Sequence, residues 1–365
     1  MSAETRSKIL RAIIVVISIY LFLLSIKLLG HSFKLFGKDF ADSMIQMTSN
    51  PFIGLIIGIV ATSLIQSSST TTSIVVGLVA GGVLSLNNAI PIIMGANIGT
   101  TVTNTLVSMG HVTNRVEFRR AFSAGVVHDF FNICAVIVIF PIELKFHIIA
   151  KTATYLERGF TGAGGMTLFN PLKFILNPVI KAVDQIFTNL PYGPILLMVV
   201  SITLMFLALV FLVKTIRSLV LVKIEIIINK YLFRNDLLGF TLGILITAVV
   251  QSSSITTSLI IPLAGAGLIS LRKILPYTLG ANIGTTVTAI LAAMATDSSV
   301  ALTVAFSHLC FNIFGIIVFY PLKFIPIKLA EFVGEHATKS RKHLVFFIIG
   351  YLMLYFVPIF LIFIL

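Results

Sequence analysis

Residues 66–103 read QSSSTTTSIVVGLVAGGVLSLNNAIPIIMGANIGTTVT, and residues 251–288 read QSSSITTSLIIPLAGAGLISLRKILPYTLGANIGTTVT. Twenty-one of these 38 positions are identical at a constant offset of 185. Identity concentrates in two polar words, Gln66–Ser69 with Gln251–Ser254 and Gly95–Thr103 with Gly280–Thr288, while the apolar residues between them drift. Constant polar words inside drifting apolar filler point to a binding site built twice.

Around this stretch the 365-residue chain is 57% apolar and 11% charged, with a mean hydropathy of +1.06, far from the composition of a soluble domain. Its 26 basic and 13 acidic residues fall mostly between apolar runs, so the net charge of +13 is a topology signal. Cations scattered in this way form no single basic face, and no nucleic acid is expected as a partner. Cys134 and Cys310 lie in apolar runs and read as packing residues. The apolar run that follows Arg6, Lys8 and Arg11 is longer than a signal-peptide core and is expected to stay as a first span.

A bilayer core about 30 Å thick takes about 20 helical residues. Residues 9–30, 88–109, 121–142, 194–214, 274–294, 299–321 and 344–365 meet that length. The runs 52–65 and 71–84 flank the polar Gln66–Thr70, and 237–250 and 255–270 flank Gln251–Ser254. Arms of about 21 Å are too short to cross singly, so 52–84 and 237–270 read as re-entrant hairpins. Their polar tips then lie at membrane depth, where irregular backbone survives only inside protein or beside a watery cavity.

Loop charges reverse between the halves. SLNNAI is neutral where SLRKIL carries Arg272 and Lys273, while Arg115, Arg119 and Arg120 follow the first GANIGTT span and only Asp297 follows the second. Basic loops stay inside, which puts matching loops on opposite faces. The expected fold is an all-α polytopic membrane protein of two inverted-topology repeats, each with a re-entrant helical hairpin and a broken helix. Repeat 1 covers 9–143 and repeat 2 covers 194–323. Residues 144–193 form a connecting outer loop, and 324–365 a basic inner segment with a C-terminal apolar helix. The breaks are expected at the GANIGTT glycines, downstream of Pro91 and Pro276; close helix packing through small residues is the other reading of those glycines.

Hydroxyls of Ser67, Ser68, Ser69, Thr70, Ser252, Ser253 and Ser254, with the free N–H groups of the helices that start there, make a neutral, donor-rich place for an oxyanion. Thr100 and Thr285 are candidate further substrate contacts. The blander reading of a serine at a helix start is an N-cap serving its own helix. No arginine or lysine lies near the tips in sequence, so bound cations are expected to balance the anion. Gln66, Gln251, Asn97, Asn282, Thr101 and Thr286 offer the neutral oxygens that hard cations take. Asp129 is the only acid deep in an apolar run, where an ionisable group costs about 2.5–3.5 kcal/mol, and is expected to ligate a cation or carry a proton. Asn132 reads equally as a ligand or as interhelical glue, and His128 and His308 as hydrogen-bonded packing residues. No serine stands in a recognisable triad order with a base, so an enzyme is not expected.

The paired QSSS tips, the paired GANIGTT words and the run NRVEFRRAFSAGVVHDFFN at 114–132 resemble the type II sodium/phosphate cotransporters. That resemblance spans both repeats. It implies secondary active transport of inorganic phosphate driven by co-transported sodium ions, with no organic cofactor and with the QSSS regions forming the substrate and sodium pathway. Asp129 falls on the family aspartate associated with electrogenic members and one sodium site, while Ser123 and Gly125 stand where electrogenic animal members carry alanines. Residues 144–193 lack the cysteines of the large outer loop of animal members, and the shorter chain resembles a bacterial member. Phosphate, sodium and the lipid bilayer of the cell membrane are the implied partners. Transport of another oxyanion, proton coupling through Asp129 and an anion channel are the rival readings.

Overall fold

The computed structural model describes residues 3–100, 102–165, 170–231 and 235–340, together with 342–347, 349, 350, 353 and 357. Thr101 and most of the apolar stretch 344–365 lie outside them. The described residues are helical with no strand. Among them, six helices are long and apolar enough to cross a membrane. They are α1 (Ala3–Leu35), α5 (Leu86–Gly99) continued by α6 (Val102–Ser108), α7 (Arg115–Phe146), α10 (Gly193–Tyr231), α14 (Leu271–Ala295) and α15 (Ser299–Phe319). Between the first and second of these, α2 (Lys38–Met47) meets α3 (Pro51–Ile65) at a bend of 95°, and α4 (Ser68–Ala80) follows. The matching place in the second half holds α11 (Asp236–Val250), α12 (Ser253–Ser258) and α13 (Ile261–Gly265).

Local chemistry sets these short helices. Asn50 caps α3 by accepting the Phe52 amide, with Pro51 pre-set in the first turn, and Asn235 caps α11 by accepting the Leu238 amide. Both outgoing arms end on a glutamine in the left-handed region, Gln66 at φ 56° and Gln251 at φ 59°. Ser67 and Ser252 then start the returning arms from extended backbone, each as an N-cap. A left-handed non-glycine residue costs on the order of 1 kcal/mol, so equivalent glutamines adopting it are held there by their surroundings.

Glycines explain how each outgoing arm seats. A Cβ on Gly58 would overlap the Ile92 carbonyl and one on Gly95 the Leu55 carbonyl; the matching glycines Gly243 and Gly280 meet the Tyr277 and Phe240 carbonyls. Gly99 and Gly284 lie against Thr62 and Thr247 in the same way. Contacts advance in the same direction along both members, so α3 runs parallel to α5 and α11 parallel to α14, with the returning arm joining them in sequence.

This packing corrects one expectation. Residues 274–294 do not unwind: α14 is continuous through Pro276 and the whole GANIGTT word. In the first half α5 ends at Gly99 and α6 starts at Val102, with Thr101 outside the described residues, and Thr100 keeps helical angles (φ −70°, ψ −24°). Each proline is the sixth residue of its helix, so the missing N–H removes one bond near the start. The α14 glycines serve close approach without a break, whereas in the first half the close approach at Gly99 coincides with the end of α5.

The repeats meet reciprocally. Arg11 donates to the Ser218 carbonyl, and Leu29 and Phe33 cluster with Met198 and Ile202, so the equivalent helices α1 and α10 run antiparallel. The connection 144–193 carries more structure than a loop. Glu143 accepts the Ile149 and Ala150 amides and so starts α8 (Ile148–Gly162), which buries Ile149, Ala150 and Ala153. The amphipathic α9 (Asn170–Thr188) is held to α1 by Lys27 with Asn177 and His31 with Asp184. Past α15, α16 (Phe324–Ala337) lies along α7, with Gly334 directly over the Ser123 hydroxyl.

Candidate binding site at the paired polar tips

The two tips touch. Ser69 Oγ donates to the Gln251 carbonyl at 3.4 Å, and Ser254 Oγ donates to the Thr100 carbonyl at 3.3 Å. Gln66, Ser67, Ser69 and Thr70 from the first tip, with Gln251, Ser252 and Ile255 from the second, line one cavity of about 320 Å³. The opposite wall is a single face of α10, from Phe206 through Val213 to Lys214 and Arg217.

The capping role of the serines is real and is shared with the cavity. Ser67 Oγ accepts from the Thr70 amide (3.2 Å) and the Thr70 hydroxyl (2.9 Å), and Ser252 Oγ accepts from the Ile255 amide (3.4 Å). Behind them Thr71, Thr72, Ser73, Thr256 and Thr257 donate to carbonyls one turn back, so their hydroxyls are turned along the helices. Ser68, Ser253 and Ser254 are buried beside the tips and do not line the cavity. Gln66 is exposed to it, whereas the Gln251 amide is tied at both ends, accepting from Thr288 Oγ1 at 2.6 Å and donating to the Ala248 carbonyl.

The remaining sequence candidates lie apart from the cavity. Thr100, Thr285 and Thr286 donate their hydroxyls to Ala96, Ala281 and Ile283 of their own helices. Asn97, Asn132 and Asn282 sit in a buried amide network that stitches the repeats together. His128 Nε2 bonds Asn282 Oδ1 at 2.5 Å, Asn282 donates to Asn132 Oδ1 at 2.8 Å, and Asn132 donates to the Asn97 carbonyl at 2.9 Å. From the other half His308 Nε2 reaches Asn97 Oδ1 at 3.4 Å. Each histidine thus contacts the GANIGTT asparagine of the other half. Asp129 lines a different cavity, of about 270 Å³, with Phe122, Val126, Ile133, Val333 and Phe346.

Three features escaped the sequence reading. Lys214 and Arg217 bring positive charge to tips that have none nearby in sequence; only tertiary packing of α10 places them there. Thr62 and Thr247, equivalent at the same offset, carry fully buried hydroxyls without a hydrogen-bond partner among the described residues, beside Gly99 and Gly284. Their recurrence was visible one turn before each glutamine, outside the 38-residue stretch. At the start of α11, Asp236 accepts from Lys323 at 2.6 Å and Lys273 at 3.5 Å, and the Lys323 hydrogen bond holds its carboxyl below the usual carboxylate range.

Among the described residues, six helices apolar and long enough to cross a membrane, with two polar tips lining one cavity, mark a multi-pass membrane protein. A family model described as Na+/Pi-cotransporter matches residues 21–175 and 195–324, and the chain belongs to that family. Sodium-dependent phosphate transport protein 2B of Homo sapiens is 32% identical over 455 residues, covering 96% of this chain and 66% of that protein. For sodium-dependent phosphate transport protein 2A of Rattus norvegicus the figures are 33% over 416 residues, 93% and 65%. The chain therefore spans just under two thirds of the length of these relatives. No solved structure matches it.

Proposed function

We propose that the protein couples inward sodium movement to uptake of inorganic phosphate across the cell membrane, by alternating access of the cavity between the two tips. The observation that carries this reading is the meeting of both QSSS tips in one cavity, joined through Ser69 and Gln251. A neutral cluster of hydroxyls and helix N-termini favours an oxyanion. The names of the relatives, sodium-dependent phosphate transport proteins 2A and 2B, favour phosphate with sodium.

In this reading Ser67, Ser68, Ser69, Ser252, Ser253 and Ser254 receive phosphate, with Thr100 and Thr285 beside them. Sodium takes oxygens from Gln66, Gln251, Asn97, Asn282, Thr101, Thr286, Asp129 and Asn132. The hydroxyls of Thr62 and Thr247, without a hydrogen-bond partner among the described residues, add two further oxygens. Asn97, Asn132 and Asn282 already use their amide oxygens or carbonyls between helices, so ligation by them requires those bonds to be exchanged. That exchange would link sodium binding to movement of one repeat against the other. Antiparallel α1 and α10 support inverted repeats, with the basic ends of both helices inside the cell.

The driving force suffices. One net charge moved through about 100 mV supplies about 2.3 kcal/mol, which sustains roughly fiftyfold accumulation. Uptake of labelled phosphate into proteoliposomes is expected to require a sodium gradient and to saturate. Equal uptake with choline in place of sodium would remove the coupling.

A further inference from the structure

The cavity between the tips is neutral except at one place. Among the described residues that line it, Lys214 and Arg217 alone are charged, and none of them is an acid. They stand three residues apart on α10, on the face that also presents Phe206, Val210 and Val213 to the tips. From Phe206 to Arg217 that face rises about 16 Å, so the cavity runs from the depth of the tips toward the C-terminal end of the α10 span. The mouth lies beside the N-terminal end of α1, where Arg11 reaches Ser218.

The repeat shows that this opening is one-sided. Equivalent positions on α1 are Leu29 and Ser32, both fully buried. Leu29 packs against Gly77 of α4, and Phe33 against Gly81. The position equivalent to Gly77 is Pro262, which cannot donate to the Ser258 carbonyl and separates α12 from α13. Gly265 of α13 then rests on His111 and Ala121. Where α1 closes on its hairpin, the corresponding face of α10 stays open, with Lys214 and Arg217 exposed.

From this we infer that Lys214 and Arg217 form an anion-collecting rim on the cytoplasmic mouth of the tip cavity, holding inorganic phosphate electrostatically on its way between the tips and the cell interior. The inference rests on the phosphate-transport reading and adds a charged outer station to the neutral inner one. Two cations over a low-dielectric cleft concentrate an anion, and bulk salt weakens the effect. A lysine and an arginine at a membrane surface also attract anionic lipid headgroups, so the test separates the two sources of phosphate.

The experiment is equilibrium binding of labelled inorganic phosphate to the full chain, in detergent free of anionic lipid, at fixed sodium. Ionic strength is varied with choline chloride between about 0.05 and about 0.5 M. The pair Lys214→Gln with Arg217→Gln is expected to weaken binding roughly three- to tenfold at the low end, converging with the parent at the high end. The charge-keeping swap Lys214→Arg with Arg217→Lys should recover the salt dependence, which a purely structural role would not predict. A parent that binds phosphate with sodium, beside a neutralised pair of unchanged affinity and salt slope, overturns the rim and leaves the transport reading intact. A difference seen only after anionic lipid is added assigns the two cations to headgroups and also overturns it. No sodium-dependent phosphate binding in the parent overturns both. For sidedness, Lys214→Cys in a background with Cys134 and Cys310 replaced by alanine should react with an impermeant maleimide in inside-out vesicles; reaction only in right-side-out vesicles would refute the cytoplasmic placement.

Discussion

The two returning arms have nearly the same sequence at their tips and different neighbours at their far ends. α4 is one helix from Ser68 to Ala80, seated on α1 through Gly77 and Gly81. Its counterpart is divided into α12 and α13 ahead of Pro262 and seated on α7 through Gly265. The outgoing arms, by contrast, are nearly identical in both halves, with the same glycines against the same carbonyls. A repeat can therefore keep one arm invariant as a frame and let the other select which side of the tips is closed.

The strongest way to break the comparison is to fill the frame. A methyl group on Gly58 or Gly243 would collide with backbone, the Ile92 or Tyr277 carbonyl, which cannot rotate away. Gly58→Ala and Gly243→Ala are each expected to cost about 3 kcal/mol and to give poorly folded protein by thermal unfolding in detergent. Gly110→Ala is the control, with open space around it, and should be nearly neutral. If only one frame glycine proves sensitive, the outgoing arms are not equivalent and the comparison fails.

A smaller effect is expected at the reciprocal histidines. His128 and Asn282 bond at 2.5 Å, whereas His308 and Asn97 are 3.4 Å apart. Removing a buried partner leaves the other unsatisfied, at about 1–3 kcal/mol. His128→Ala should lie at the upper end and His308→Ala at the lower, because the weaker contact has less to lose. Thermal midpoints of the two variants and of the double variant read this directly. Equal losses would mean that the inequality of the two contacts carries no energy.

How much was legible follows the same division. The hairpins, the spans and the repeat offset came from run lengths and from polar words that local chemistry fixes, such as Asn50 and Asn235 as caps and Gln66 and Gln251 as left-handed ends. The spacing of Gly95, Gly99, Gly280 and Gly284 was visible, but one sequence pattern serves both unwinding and close approach; the facing carbonyls of Leu55, Ile59, Phe240 and Ile244 show the close approach, and the continuity of α14 excludes unwinding in the second half. Within the site, the tips could be read because they repeat. Lys214 and Arg217 could not, since the equivalent positions hold Leu29 and Ser32 and no periodicity announces a break in symmetry. His128 and His308 read as hydrogen-bonded packing residues, and they bond to Asn282 and Asn97 of the other half, partners that the sequence did not name.

The smallest expected effect sharpens the comparison at the open ends of the hairpins. Positions 88 and 273 are equivalent, and each ties a GANIGTT span to the approach of the outgoing arm. Asn88 does so with neutral bonds to the Ile45 carbonyl and the Thr48 hydroxyl, at 2.9 and 3.0 Å. Lys273 does so with charge, sharing Asp236 with Lys323. Because the Lys323 hydrogen bond lowers the Asp236 pKa in the folded protein, this anchor stabilises fully above the unfolded carboxyl value of about 3.9 and is lost as pH falls through the folded value. Asp236→Asn should therefore lose about 1 kcal/mol at neutral pH, the scale of a partly exposed ion pair. The gap from the parent should narrow below about pH 4, as the carboxyl takes up its proton first in the unfolded chain and then, at lower pH, in the folded one. Asn88→Ala should show a deficit of similar size with no such narrowing, since nothing in its bonds titrates. Unfolding curves of both variants and the parent across that range test the contrast, and a constant gap for Asp236→Asn would mean that the second hairpin is anchored by shape rather than by charge.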